Sequence, residues 1–199
     1  QLTAVLSIGL IIAIAFLDTD IKGRVANNVL IKKAKNLSFI WLLSTVFYIL
    51  VQIAYLLEQP ISASFDLTVL RSYLTQTSIG KSYLIQIIGI LLILSISFKK
   101  ILSTYLALLI SLVAVVAPVF QSHGSTSGHH GLAIGALVIH VIAISFWVGG
   151  LFGLTQLDKA QKLIALPRFS EIALWSAIAV AATGAATAWT RLDSISAWS

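Results

Sequence analysis

The sequence predicts an all-α fold: a polytopic transmembrane helical bundle of about six spans, with both ends of the chain outside. Three observations predict it. First, of 199 residues, 58% are hydrophobic and only 10% are charged, with a mean hydropathy of +0.98. A soluble domain carries roughly 45–50% apolar and about 25% charged residues. So few charges cannot cover a water-facing surface, which excludes a globular cytosolic or secreted domain and a disordered chain. Second, the apolar residues gather into six runs near the length of about 20 residues that a membrane span needs. Third, the basic residues in the breaks between runs fall mostly on alternate breaks, as the positive-inside rule requires of a multi-pass protein.

The runs are 2–17, 37–57, 79–98, 101–120, 132–154 and 169–189. Continuous apolar stretches of this length read as helices, because barrel strands alternate over about 10 residues. In run 2–17 the basic residues follow the apolar stretch, and no small-x-small site ends it, so it reads as a span and not as a signal peptide. After it come Lys22, Arg24, Lys32, Lys33 and Lys35. Lys99 and Lys100 lie between the third and fourth runs, and Lys159, Lys162 and Arg168 between the fifth and sixth. These ten are assigned to the cytoplasmic side. Arg71, Lys81 and Arg191 fall on the other side, with segment 121–131. The net charge of +6 is thus an orientation signal that anionic headgroups satisfy, and nucleic acid is not an expected partner. The longest outer segment, 58–82, contains Pro60, Phe65, Leu67, Leu70, Tyr73 and Leu74 among polar residues. That spacing fits a short amphipathic helix on the membrane surface; an irregular loop is the alternative. A chain that opens with Gln1 inside an apolar run and stops just after Trp198 reads as part of a longer protein.

Cysteine and methionine are both absent, so metal chemistry in this chain rests on imidazole, carboxylate and backbone oxygen. Three of the four histidines, His123, His129 and His130, sit in one outer segment beside Gly124, Gly128 and Gly131. Neutral imidazole is a common ligand for copper, zinc, iron and nickel. The glycines would let the segment fold over the next helix and bring His123 together with His129 or His130, and with His140. Solvated histidines that bind nothing specific are the other reading. His140 lies inside the fifth run, where an ionisable group is costly and usually faces the bundle interior. It reads as a metal ligand, haem ligand or proton relay; a neutral His bonded to a neighbouring helix is the bland alternative. Trp147, seven residues on, falls on the same helical face.

Below it, Gly149 and Gly153 form a small-xxx-small pair that permits close helix approach, with Gly150 between them. The sixth run answers with Ala177, Ala181 and Ala185, and with Gly184 and Ala188, so packing between the fifth and sixth spans is expected. A phosphate cradle is excluded, since no strand precedes these glycines and no Lys-Ser/Thr follows. Arg191 beside Trp189 is explained by snorkelling to the interface. Gln52 and Gln86, polar groups within spans, are expected to make interhelical hydrogen bonds.

The stretch Ser122-His123-Gly124, followed by His140, six residues, Trp147, one residue and Gly149-Gly150, resembles the bacterial copper resistance protein D (CopD) family. Arg168-Phe169-Ser170, Ala173, Gly184, Ala188 and Arg191-Leu192 resemble that family's next helix. Thr77-Ser78-Ile79-Gly80 resembles its Thr-x-x-Gly helix start. The resemblance covers about 77–192. It implies a multi-pass protein of the bacterial cytoplasmic (inner) membrane that takes part in copper uptake, transport or resistance and is not an enzyme. His123 and His140 are its copper-associated positions. It also implies a periplasmic copper-binding partner of the CopC type. Some relatives continue into a cytochrome c oxidase assembly factor-like domain, which fits the abrupt end at Ser199 and suggests oxidase assembly components as partners. Two rival readings remain: a membrane redox protein holding haem between His140 and a second histidine, and a scaffold for oxidase assembly.

Overall fold

A computed structural model of the chain describes residues 1–17, 28–98, 100–121 and 130–196. Among the described residues the protein is helical throughout, with no strand. Helix α1 (Leu2–Ile12) continues through a π turn, Ala13–Leu17. Helix α2 (Asn28–Leu57) leads to a 3-10 turn, Ile61–Phe65, and to α3 (Leu67–Gln76) and α4 (Ser78–Ser95). Helix α5 (Ile101–Val116) ends in a 3-10 turn, Ala117–Gln121. Helix α6 (His130–Ile144) runs through a π turn, Ser145–Gly149, into α7 (Gly150–Thr155), and α8 (Lys159–Ser196) closes the chain. Five helical stretches are long and apolar enough to cross a membrane: Asn28–Leu57, Ser78–Ser95, Ile101–Phe120, Ile134–Thr155 and Lys159–Trp189. Leu2–Phe16 is a shorter apolar helix.

That short helix is the axis of the bundle. Ala4, Ile8, Leu10, Ile11, Ile12 and Ala13 are all fully buried, against α2, α5, α7 and the second π turn. In a bilayer apolar surface alone does not choose the centre; small residues do, and on α1 a Cβ at Gly9 would run into the Gly149 backbone. The one buried polar side chain of α1 with a described partner is Ser7, whose hydroxyl meets that of Ser38 on α2 at 2.7 Å, while Ser38 donates to the Ala34 carbonyl.

Two helices reach further than their apolar runs. Helix α2 begins at Asn28 and not at 37, and α8 at Lys159 and not at 169, so Lys32, Lys33, Lys35, Lys159 and Lys162 sit on helix. Long cationic stems let a helix extend through the interface while the ammonium stays wet. A capping box starts α8: Gln161 N–H donates to Asp158 Oδ1 at 2.8 Å, and Asp158 N–H donates to Gln161 Oε1 at 3.3 Å.

The segment between α2 and α4 is ordered and partly buried, beyond the surface helix its spacing suggests. Asp66 caps α3 by accepting from Thr68 N–H at 2.7 Å. Leu67 is 80% exposed, yet Tyr73 is buried with Ile49 and Ile53 of α2 and packs on Val69, Leu70, Leu74, Tyr83 and Ile87. Thr77 ends α3 and starts α4 at once, donating to Tyr73 O at 2.7 Å and accepting from Gly80 N–H at 2.9 Å. A side chain at Gly80 would run into the Tyr73 carbonyl. The Thr-x-x-Gly pattern is therefore the geometry of a corner between two helices.

Candidate functional site

His140 is the single titratable side chain between Gly131 and Leu157. Helix α6 carries it half-buried toward α8, where its Nδ1 lies 3.1 Å from Thr183 Oγ1. Thr183 is buried. Its hydroxyl also reaches back to Ala179 O at 2.7 Å and Val180 O at 3.1 Å on its own helix. The ring is thus tied across the α6–α8 pair at one nitrogen.

The other predicted ligands are placed less fully. His123 and His129 lie outside the described residues. His130 is the first residue of α6, ten residues before His140, or about 15 Å along the axis at 1.5 Å per residue. Among the described residues, no group of three or more His, Asp or Glu converges as a metal cage. Arg191 falls in the last turns of α8.

The glycines pack, but with a different partner than the sixth span. A Cβ on Gly149 would lie 2.6 Å from Val5 O and 3.1 Å from Gly9 Cα, and one on Gly153 would strike the Gly9 carbonyl and lie 2.9 Å from Ala13 Cβ. Both therefore face α1. Gly150 alone faces α8, where its Cβ would meet Phe169 at 3.0 Å. At Gly184 a Cβ would meet no atom of the described residues within 4 Å. A small-xxx-small pattern states that a backbone comes near, not whose backbone it is. Trp147 is 39% exposed and lies within the π turn Ser145–Gly149.

Polar groups in the spans act as interhelical ties. Gln86 of α4 donates from Nε2 to Ala114 O on α5 at 3.1 Å, and its Oε1 lies 3.4 Å from Thr45 Oγ1 of α2. The residue four beyond Ala114 is Pro118, which has no N–H, so Gln86 supplies a donor where the helix cannot. Sequence reasoning found Gln86 but missed Thr183. A threonine at helical spacing from a stripe of alanines carries no signal of its partner.

The family model for the N-terminal domain of copper resistance protein D-like proteins matches residues 1–135. This match takes in α1 to α5 and the head of α6, and ends before His140. No curated protein and no solved structure matches the chain.

Proposed function

The chain belongs to the copper resistance protein D-like family, and from that premise we propose that it is a multi-pass protein of the bacterial cytoplasmic membrane that moves copper inward from a capture point on the outer side. His140 is the intramembrane ligand, and His123, with His129 or His130, is the outer capture point. Copper is cargo here, not a resident cofactor. With neither Cys nor Met in the chain, imidazole, carboxylate and backbone oxygen remain as donors, and of these imidazole suits copper. A periplasmic copper-binding protein would deliver the ion, and the bilayer is the second partner. Oxidase assembly components are partners only if a longer chain carries the corresponding domain.

One observation carries the reading: the only titratable group inside the α6 span is oriented by a hydrogen bond with a neighbouring helix. Intramembrane ionisable groups are expensive and are kept where they act. Ligating histidines are generally held by such a bond at the other ring nitrogen.

Copper binding to the purified protein tests the site. His140→Ala and His123→Ala should each lower stoichiometry or affinity; both unchanged would overturn the assignment. Transport has its own assay. Copper entry into proteoliposomes should exceed entry into empty vesicles and fall with His140→Ala, and equal rates would remove the transport reading.

A further inference from the structure

We propose that Thr183 is a positioning residue that fixes His140 as the Nδ1–H tautomer and so presents Nε2 as its bare, ligand-ready nitrogen. This rests on the reading of His140 as a copper ligand.

The argument is proton counting. A threonine hydroxyl has one proton and two lone pairs. Thr183 Oγ1 lies 2.7 Å from Ala179 O and 3.1 Å from Val180 O. Backbone carbonyls accept and never donate, so the hydroxyl proton is committed to them, the back-bonding that helical threonines commonly make. Its lone pairs then face His140 Nδ1 at 3.1 Å. A bare Nδ1 there would set two lone pairs against each other, so Nδ1 carries the hydrogen and donates. A neutral imidazole with Nδ1–H has its lone pair on Nε2. Thr183 also fixes the plane of the ring, because that N–H must point at Oγ1 on α8. Burial of Thr183 removes water as a competing partner. The pairing joins residues 43 apart in sequence, so it also sets the rotation of α6 against α8 at this level.

The tautomer can be read without metal. Protein with 15N-labelled histidine, in which His123, His129 and His130 are replaced by Gln, reports His140 alone. Protonated and bare ring nitrogens give distinct 15N resonances. With the ring neutral, the wild-type Thr183 background should show Nδ1 protonated and Nε2 bare. Thr183→Val keeps the shape but removes the acceptor, and should shift the population toward Nε2–H. Thr183→Ser keeps the acceptor and should restore the wild-type pattern. Copper affinity at His140, measured with the full histidine set, should fall about tenfold or more in Thr183→Val and recover in Thr183→Ser, the range known for groups that orient a ligand. A bare Nδ1 in the wild-type background, or the same tautomer in Thr183→Val, would overturn the proposal. The two readings fail separately. The expected tautomers without any copper binding would sink the copper assignment and leave the positioning role standing. Copper binding lost in His140→Ala but untouched in Thr183→Val would do the reverse.

Discussion

At the scale of single residues, the polar atoms inside this apolar bundle divide into those with a described partner and those without. Gln86 has one because Pro118 creates a need for it: the Ala114 carbonyl has no regular helical donor, and Gln86 Nε2 sits 3.1 Å away. Replacing Gln86 by Leu should cost about 1–2 kcal/mol, above the ~0.6 kcal/mol average for interhelical bonds in membranes, because a backbone acceptor is left short. In a Pro118→Ala background the helix regains its N–H and the same change should cost less. Denaturant titrations of the four-member cycle in detergent read the difference, and additive effects would show that the two residues are not coupled. Tyr73 is the opposite case. Its hydroxyl is buried with no hydrogen-bond partner among the described residues. Burial pushes the phenol above its ordinary value of 10.0, and neighbouring Tyr48 adds to the shift. The folded protein therefore holds this proton more tightly than the unfolded chain. The contribution is whole below pH 10.0 and is lost as pH rises toward the folded value. Tyr73→Phe should leave neutral stability equal or slightly higher and lessen the alkaline loss, as followed by unfolding against pH.

At the scale of elements, close packing is written in the glycines, and its partner is written elsewhere. Pairing of Gly149 and Gly153 with the alanines of α8 is the natural expectation from sequence, since those alanines repeat at four-residue steps. The structure sets both against Gly9 of α1. Gly9 lies in a run so uniformly apolar that periodicity cannot say which side faces what. Gly149→Ala and Gly153→Ala should each destabilise by about 1–3 kcal/mol, the usual cost of forcing extra volume into a packed core. Gly184→Ala should be tolerated, since its Cβ would meet no atom of the described residues within 4 Å, and should gain slightly in helix propensity. Midpoints of thermal unfolding in detergent order the three. Equal loss at Gly184 would mean that α8 presses on another helix there. The spans themselves were legible because hydropathy dictates them, and Thr77 and Gly80 were legible as a motif. Their work at the α3–α4 corner was not, because it depends on Tyr73 carrying the contact from another helix. His140 was legible for the same reason as the spans, as a titratable group where hydropathy allows almost none. Thr183 was not, because hydroxyls in spans are common and its role exists only through the α6–α8 pairing.

At the scale of the whole molecule, charge orients the bundle, and the packing supplies an independent reason to group the basic segments at one end. Lys33 Nζ donates to Gln156 Oε1 at 2.9 Å, which brings the start of α2 beside the turn before α8. Phe16 meets Tyr105 edge-on at 5.4 Å, which brings the end of α1 beside the start of α5, next to Lys100. The basic groups of three segments therefore share one end. Helix α3 and its core with Ile49, Ile53 and Tyr83 lie at the other end of α2. The positive-inside rule places the first end in the cytoplasm. On that orientation α3 and the head of α6 lie outside, which is what the proposed outer capture of copper requires. Because the chain has no cysteine, single-cysteine labelling has no background. Thr75 and Ala160 are both exposed, at opposite ends. In spheroplasts, a membrane-impermeant thiol reagent should label Thr75→Cys directly and Ala160→Cys only after the membrane is opened. The reverse pattern would turn the bundle over and move His130 to the cytoplasmic face. The outer-capture step would then be lost, while the bond between His140 and Thr183 would stand unchanged.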